Sequence, residues 1–346
     1  MTELAPDLEL VPGRRLVETS IDVRFALAAG DRVLATAGEP AVVGTALAER
    51  YLDTRLAETG PAELDDAAPG ARWTRPAESV RRTVRPARPT RTARIARTAT
   101  EGELLFEWRG GWRIAAGDHP DVLDAPVPGL IRDVRPGIGI AIRTTGRAIR
   151  GIRVIGGPTR GRLELARGPA GELRPGALDV GSAGAILVVG ARVDAETLTR
   201  ARAMGVAGIV VAGLPGKDQR DYLASEARQR AALHRLPPFA VFVLDGALRR
   251  PIAGPILRLF EALEGRDVAI VADPPALVFD EPDIEVELPP ADLVRVRSGP
   301  EAGREGRWVE AVGLRRFAGG IHLEAARVQF AEGPAIVPVG DLERFV

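Results

Sequence analysis

The chain has 346 residues, 45% of them hydrophobic and 27% charged, with 47 basic and 47 acidic side chains and no cysteine. That length predicts two to four packed domains, and the balanced charge gives the chain as a whole no electrostatic claim on nucleic acid or a membrane. Without cysteine there are no disulfides, thiolate metal sites or cysteine nucleophiles.

Met1 is followed by an acidic, proline-bearing start, and no apolar run approaches the roughly 20 residues of a membrane helix, so the expectation is a soluble cytoplasmic protein. Lys217 is the only lysine, so nearly every positive charge is an arginine.

Residues 1–60 read as an N-terminal unit of strands plus one helix: short apolar stretches at Leu10–Val11, Val23–Leu27 and Val33–Ala35 are punctuated by Gly30 and Gly38, and 45–57 has helical composition. Residues 61–100 are polar and proline-rich, as in a linker or extended arm. Arginines recur there at every third residue, Arg82, Arg85, Arg88, Arg91, Arg94 and Arg97, with no acid from 81 to 97. Three residues make one turn of polyproline II, so an extended segment would carry an arginine stripe suited to a phosphate backbone or an acidic partner. The alternative is a solvated linker.

Residues 101–176 read as an all-β domain, with apolar stretches at 104–108, 112–115, 129–134, 139–142, 148–154 and 162–165 separated by Gly or Pro turns. Residues 177–280 change rhythm. Strands at 185–189, 207–212, 239–244 and 267–272 alternate with helices at 195–203, 218–234 and 252–263, which predicts a three-layer, Rossmann-like parallel α/β domain. An acidic stretch ending at Pro289 and Pro290 opens the last unit, 281–346, whose five short strands at 293–296, 307–312, 321–323, 326–330 and 335–338 suit a small barrel.

Val294-Arg295-Val296-Arg297-Ser298-Gly299-Pro300 through Gly306-Arg307-Trp308-Val309, with the ending Val337–Glu343, resembles the KOW motif of ribosomal proteins and transcription elongation factors. The resemblance implies an SH3-like barrel that binds RNA or proteins of the transcription and translation machinery. Residues 291–346 depart from a strongly basic pattern, carrying eight arginines and eight acids, so a protein partner fits this unit better than RNA.

The glycine-rich hairpins of Pro128–Ile140, Gly151–Gly157 and Gly161–Leu163 resemble lipoyl-like, barrel-sandwich domains. No lysine lies between 103 and 166, which excludes a biotin or lipoyl carrier, and no cofactor is expected. The order lipoyl-like β domain, α/β domain containing Gly205–Val210 and KOW-like barrel resembles an uncharacterised bacterial family, and that implies architecture without a mechanism.

Few constellations carry chemistry. Val180-Gly181-Ser182-Ala183-Gly184 lacks the first glycine of a nucleophile elbow and precedes its strand. His119, His234 and His322 fall in three different units, and Asp118, His119, Asp121 and Asp124 read as a polar turn, so no metal site is expected. Gly213-Leu214-Pro215-Gly216-Lys217-Asp218 fails as a P-loop, because Val211 and Asp218 stand where glycine and Ser or Thr are required.

The strand ends of an open α/β sheet nevertheless form the usual ligand crevice, so Gly190, Arg192, Gly213, Gly216, Lys217, Asp245 and Gly246 are candidates for one anion-binding pocket. The competing reading gives Gly213 and Gly216 a turn, Asp218 a helix cap and Lys217 to solvent. The leading expectation is a non-catalytic binding or assembly protein of a protein or ribonucleoprotein complex. An enzyme or sensor for an anionic small molecule is the alternative, and nucleic-acid binding through the arginine arm a third.

Overall fold

The computed structural model describes residues 6–28, 30–50, 121–168, 170–233 and 236–346, together with the backbone of strands Thr54–Ala57, Arg72–Arg75, Glu78–Val84, Arg91–Arg97, Thr100–Trp108 and Gly111–Ala115. The described residues form mostly β-structure, with three α-helices among them: α1 (Ala195–Ala203), α2 (Gly216–Leu233) and α3 (Gly254–Ala262).

The largest sheet has nine strands among the described residues, in the order Arg153–Gly156, Ala240–Gly246, Gly208–Gly213, Ala185–Gly190, Thr159–Leu165, Asp267–Ala272, Pro275–Phe279, Arg147–Arg150 and Glu18–Thr19. Ala185–Gly190, Gly208–Gly213 and most of Ala240–Gly246 are continuous buried runs because both faces of the sheet are covered. Alternate side chains go to opposite faces. Leu187, Val189, Ile209, Val211, Val241 and Val243 share a core with Leu198, Ala201 and Tyr222 of α1 and α2. Ile186, Val188, Val210, Ala212, Phe242 and Leu244 pack with Ile256, Leu259 and Phe260 of α3. Helix, sheet and helix therefore make the three layers expected from the sequence.

The sheet is mixed rather than parallel throughout. Thr159–Leu165, Ala185–Gly190, Gly208–Gly213 and Ala240–Gly246 run parallel, but Asp267–Ala272 is antiparallel to Thr159–Leu165. Strands Arg147–Arg150, Arg153–Gly156 and Thr159–Leu165, read from the sequence as part of an all-β unit at 101–176, belong to this sheet. The sequence division at 176 followed a change of rhythm, whereas the sheet is closed by hydrogen bonds between strands on both sides of it.

A second body is built from two small antiparallel sheets, one of Asp22–Ala26, Gly139–Thr144, Gly129–Arg135 and Pro40–Ala41, the other of Asp121–Asp124, Ala46–Arg50 and Arg32–Val33. Val23, Phe25, Leu47, Ala48, Ile131, Ile140 and Ile142 fill its core, which continues into Ala269, Val271, Ala276 and Val278 of the large sheet. The helix expected at 45–57 is instead strand, Ala46–Arg50 and Thr54–Ala57. Alanine-rich composition favours helix weakly, and pairing with Asp121–Asp124 and Arg32–Val33 overrides it.

The third body is a sheet in the order Gly13–Arg14, Leu342–Phe345, Leu293–Val296, Glu305–Arg316, His322–Phe330 and Gly333–Pro338. The two strands expected at 321–323 and 326–330 are one continuous strand, and Leu342–Phe345 supplies a further strand beside Leu293–Val296. Val294, Trp308, Val328, Phe330, Val337 and Leu342 form its core.

Residues 8–19 strap the C-terminal sheet to the large sheet. Leu8 and Val11 are buried in the C-terminal core, Gly13–Arg14 runs parallel to Leu342–Phe345, Leu16 enters the large sheet's core, and Glu18–Thr19 pairs with Arg147–Arg150. Leu8→Ala should cost about 2–4 kcal/mol. Hydrogen exchange would show it as lost protection in strand Glu305–Arg316, far along the chain, with α1 and α2 unaffected.

Candidate functional site

The most unusual chemistry lies where the large sheet, the C-terminal sheet and the N-terminal strap meet. Strand Ala240–Gly246 is apolar until Asp245, whose side chain is only 3% exposed. Arg14 of the strap approaches Asp245 Oδ1 at 2.6 Å, and Arg295 of the C-terminal sheet approaches Oδ2 at 3.0 Å. Arg295 is fully buried and also lies 3.3 Å from Glu343 and 4.0 Å from Glu305. Arg14 is in turn 3.9 Å from Glu343.

Burial alone would raise the Asp245 carboxyl; the charges of Arg295 and Arg14 outweigh it and hold the group below the ordinary carboxylate range. Burial disfavours the Arg295 cation, but Asp245, Glu343 and Glu305 together raise its pKa.

The same residues dock the loop before α3. Arg295 Nη2 donates to the Pro251 carbonyl at 2.7 Å, and Arg250 Nη1 donates to the Arg297 carbonyl at 2.7 Å. Ala253, the residue preceding α3, offers no side-chain cap, and Glu305 accepts a hydrogen bond from the Gly254 amide at 2.7 Å in its place. A carboxylate there also complements the positive end of the helix dipole.

Hydrogen bonding at the junction is incomplete. Five buried side-chain polar atoms among the described residues lack a hydrogen-bond partner, and Asp245 Oδ2, Arg250 Nε and Arg295 Nε are three of them. The approach of Arg295 to Oδ2 is thus an ion pair rather than an aligned hydrogen bond. Arg250 is 8% exposed, and among the described residues no carboxylate lies within ion-pair distance of it. Burial lowers its pKa, Asp245 opposes that, and Arg295 and Arg14 add to the lowering.

Beside these groups is a cleft of about 400 Å³ lined by Arg14, Arg150, Arg250, Arg297, Asp245 and Glu343, with Gly151, Ile152, Leu244 and Ser298. A larger recess of about 740 Å³ lies elsewhere, between the body of two small sheets and the large sheet, where Arg24, Arg132 and Arg135 alternate with Asp22, Asp133 and Asp273.

No family model matches the chain. Nor does any curated protein. The chemistry of the junction therefore rests on its own geometry.

Of the seven residues expected to line one pocket, Asp245 lines this cleft and Gly246 abuts it, since a Cβ on Gly246 would lie 3.7 Å from Arg250 Nη2. The others do not join them. Gly190 ends its strand at φ +101°, and a Cβ there would meet the Gly168 carbonyl at 2.4 Å. A Cβ on Gly213 would lie 2.0 Å from the Leu248 carbonyl. The strand ends that were to form an open crevice are thus covered by the backbone of Gly168, Gly171, Gly246 and Leu248.

Gly216 opens α2, Lys217 points to solvent, and Arg192 pairs with Asp218 at 3.6 Å and Glu172 at 3.8 Å. Gly216 and Lys217 open the helix and Lys217 is exposed, as in the competing reading, but Asp218 lies inside the first turn of α2 and pairs with Arg192 where a cap was expected.

The arginine series fares differently. Arg85 and Arg88 lie outside the described residues, as do Asp118, His119 and His234. Arg82 falls in Glu78–Val84, and Arg91, Arg94 and Arg97 in Arg91–Arg97, two strands paired antiparallel from Arg91 opposite Val84 to Arg97 opposite Glu78. The polyproline II backbone that would align every third residue is not what these segments adopt. His322 is exposed on the C-terminal sheet, and Ser182 Oγ donates to Glu164 at 3.1 Å in a loop. Among the described residues, no group of three or more His, Asp or Glu side chains could hold a metal ion.

Arg14, Arg150, Arg250, Arg295, Arg297, Glu305 and Glu343 were not singled out from the sequence. Val294-Arg295-Val296-Arg297 reads as plain alternation with both arginines toward water, and nothing local shows that Asp245 covers one of them.

Two substitutions test this geometry. Asp245→Asn should destabilise the chain by about 3 kcal/mol at about pH 7, because it leaves two buried guanidiniums short of their shared anion. A depressed carboxyl contributes stability above its unfolded pKa and loses it as the pH falls through the folded one, so the gap between wild type and variant in urea titrations should narrow below about pH 4. Gly213→Ala should lower stability by about 1–3 kcal/mol through overpacking against Leu248, measured the same way.

Proposed function

We propose that this chain is a non-catalytic binding and assembly protein of a cytoplasmic protein or ribonucleoprotein complex, and that its contact element is the long hairpin of the C-terminal sheet. The observation that carries this reading is how far strands Glu305–Arg316 and His322–Phe330 run past the core they help to form. Trp308, Ala326, Val328 and Phe330 are buried at the base. Toward the tip, Leu314 is 61%, Ile321 59% and Leu323 40% exposed.

The tip is nonetheless a defined shape. The Phe317 amide donates to the Ile321 carbonyl at 2.9 Å, and Gly319 and Gly320, both at φ +80°, turn the chain where a side chain would be strained. Register shifts after Trp308 and after Ala311 twist the hairpin, as bulges do where a strand is re-aimed.

Arg315, Arg316 and His322 flank the apolar residues, and no acid lies between 311 and 323. Aliphatic side chains next to cations suit a protein surface presenting an apolar patch rimmed by carboxylates, with each aliphatic group contributing about 2 kcal/mol when fully covered. The KOW resemblance of 294–309 supports a partner from the transcription or translation machinery. The even charge of 291–346 favours a protein over RNA as that partner. No helix among the described residues is long and apolar enough to cross a membrane.

Affinity capture from native lysate, with and without nuclease, tests the reading when wild type is set against Leu314→Asp with Ile321→Asp. Both sites are solvated, so the variant should fold as wild type does. A nuclease-resistant protein held by wild type and bound at least about tenfold more weakly by the variant, confirmed with the purified pair, is the expected result. Equal capture by both chains, or capture that nuclease abolishes, would overturn it.

A further inference from the structure

We infer that the cleft where the strap, the large sheet and the C-terminal sheet meet is a binding site for a small phosphate-type anion, held chiefly by Arg250 and Arg297. The inference is independent of the hairpin contact proposed above, because the two sites share no residue.

Charge and hydrogen bonding converge on it. The cleft wall carries four guanidiniums, Arg14, Arg150, Arg250 and Arg297, against the carboxylates of Asp245 and Glu343. Those carboxylates are already engaged by Arg14 and Arg295, and Arg150 is matched by Glu18 at 2.7 Å. Arg250 and Arg297 make no ion pair among the described residues. Arg250 Nε is buried without an acceptor.

A guanidinium without a carboxylate partner gains from a counterion, and phosphate oxygens match the planar donor fork of arginine. Ser298 sits on the same wall, with its hydroxyl donating to Asp341. Gly151 and Ile152 provide a floor without a charged side chain.

The wall is drawn from separate parts of the molecule. Arg14 comes from the N-terminal strap, Arg150 from the end of strand Arg147–Arg150 and Ile152 from the turn after it, Arg250 from the loop before α3, and Arg297 from the residue following strand Leu293–Val296 of the C-terminal sheet. An anion seated there replaces repulsion between cations of different bodies with a shared counterion. Binding should therefore stabilise the native chain in a saturable way, as any ligand specific to the native state does.

Isothermal titration of the full chain with inorganic phosphate and with adenosine monophosphate, at ionic strength matched with sodium chloride, tests the inference. Arg297→Ala is the main variant, because Arg297 is exposed and its loss leaves the fold intact; Arg250→Gln is the second. Saturable one-site binding, weakened at least tenfold by Arg297→Ala, is expected. Binding of inorganic phosphate would identify a free anion as ligand, and binding of the monoester alone a phosphate carried on a larger molecule. Absence of heat with both probes, or equal dissociation constants for wild type and Arg297→Ala, would overturn the assignment whatever becomes of the hairpin partner.

Discussion

The buried carboxylate of Asp245 is the constraint around which the rest of the molecule is arranged. A lone carboxylate at 3% exposure would be expelled or protonated, because burial disfavours its charge. It stays ionised only if cations come to it, and both come from far along the chain: Arg14 from the N-terminal strap and Arg295 from the C-terminal sheet. Satisfying one charge therefore brings both chain ends to the edge of the central sheet. The parallel pairing of Gly13–Arg14 with Leu342–Phe345 and the Glu305 cap on α3 follow from the same approach.

Such a junction works differently from an apolar interface. Hydrophobic packing joins the body of two small sheets to the large sheet through Ala269, Val271, Ala276 and Val278, and area alone does not fix its register closely. An ion cluster has a narrow range of productive geometries, and a buried charge left unmatched is penalised heavily, so the cluster specifies orientation more than it adds net stability. Arg250, with no carboxylate within ion-pair distance among the described residues, marks where that specification is incomplete, and it lines the cleft.

How much of this could be read from the sequence depends on the range of the interactions. The α/β layers were legible because continuous apolar runs such as 185–189 and 207–212 need cover on both faces, and α1 begins where Asp194 caps the Thr197 amide at 2.7 Å. Local composition misled at 45–57, where alanines suggested helix and the partner strand lies more than 70 residues away in Asp121–Asp124. It misled again over Arg147–Leu165, whose hairpin rhythm resembles the preceding β-rich stretch although its strands hydrogen-bond into the large sheet. The site was half legible. Asp245 could be picked out as the end of an apolar strand, but its partners sit in positions that locally read as solvent-facing. The expected crevice failed because backbone from other loops fills the space next to Gly190 and Gly213, which a strand-by-strand reading does not contain.

Asp245 couples the N-terminal strap to the large sheet. A double-mutant cycle on Arg14 and Asp245, each replaced by alanine singly and together and followed by urea unfolding, measures that coupling. A coupling of about 1–3 kcal/mol is expected, with the double variant less destabilised than the sum of the single ones. Additivity to within about 0.5 kcal/mol would contradict it.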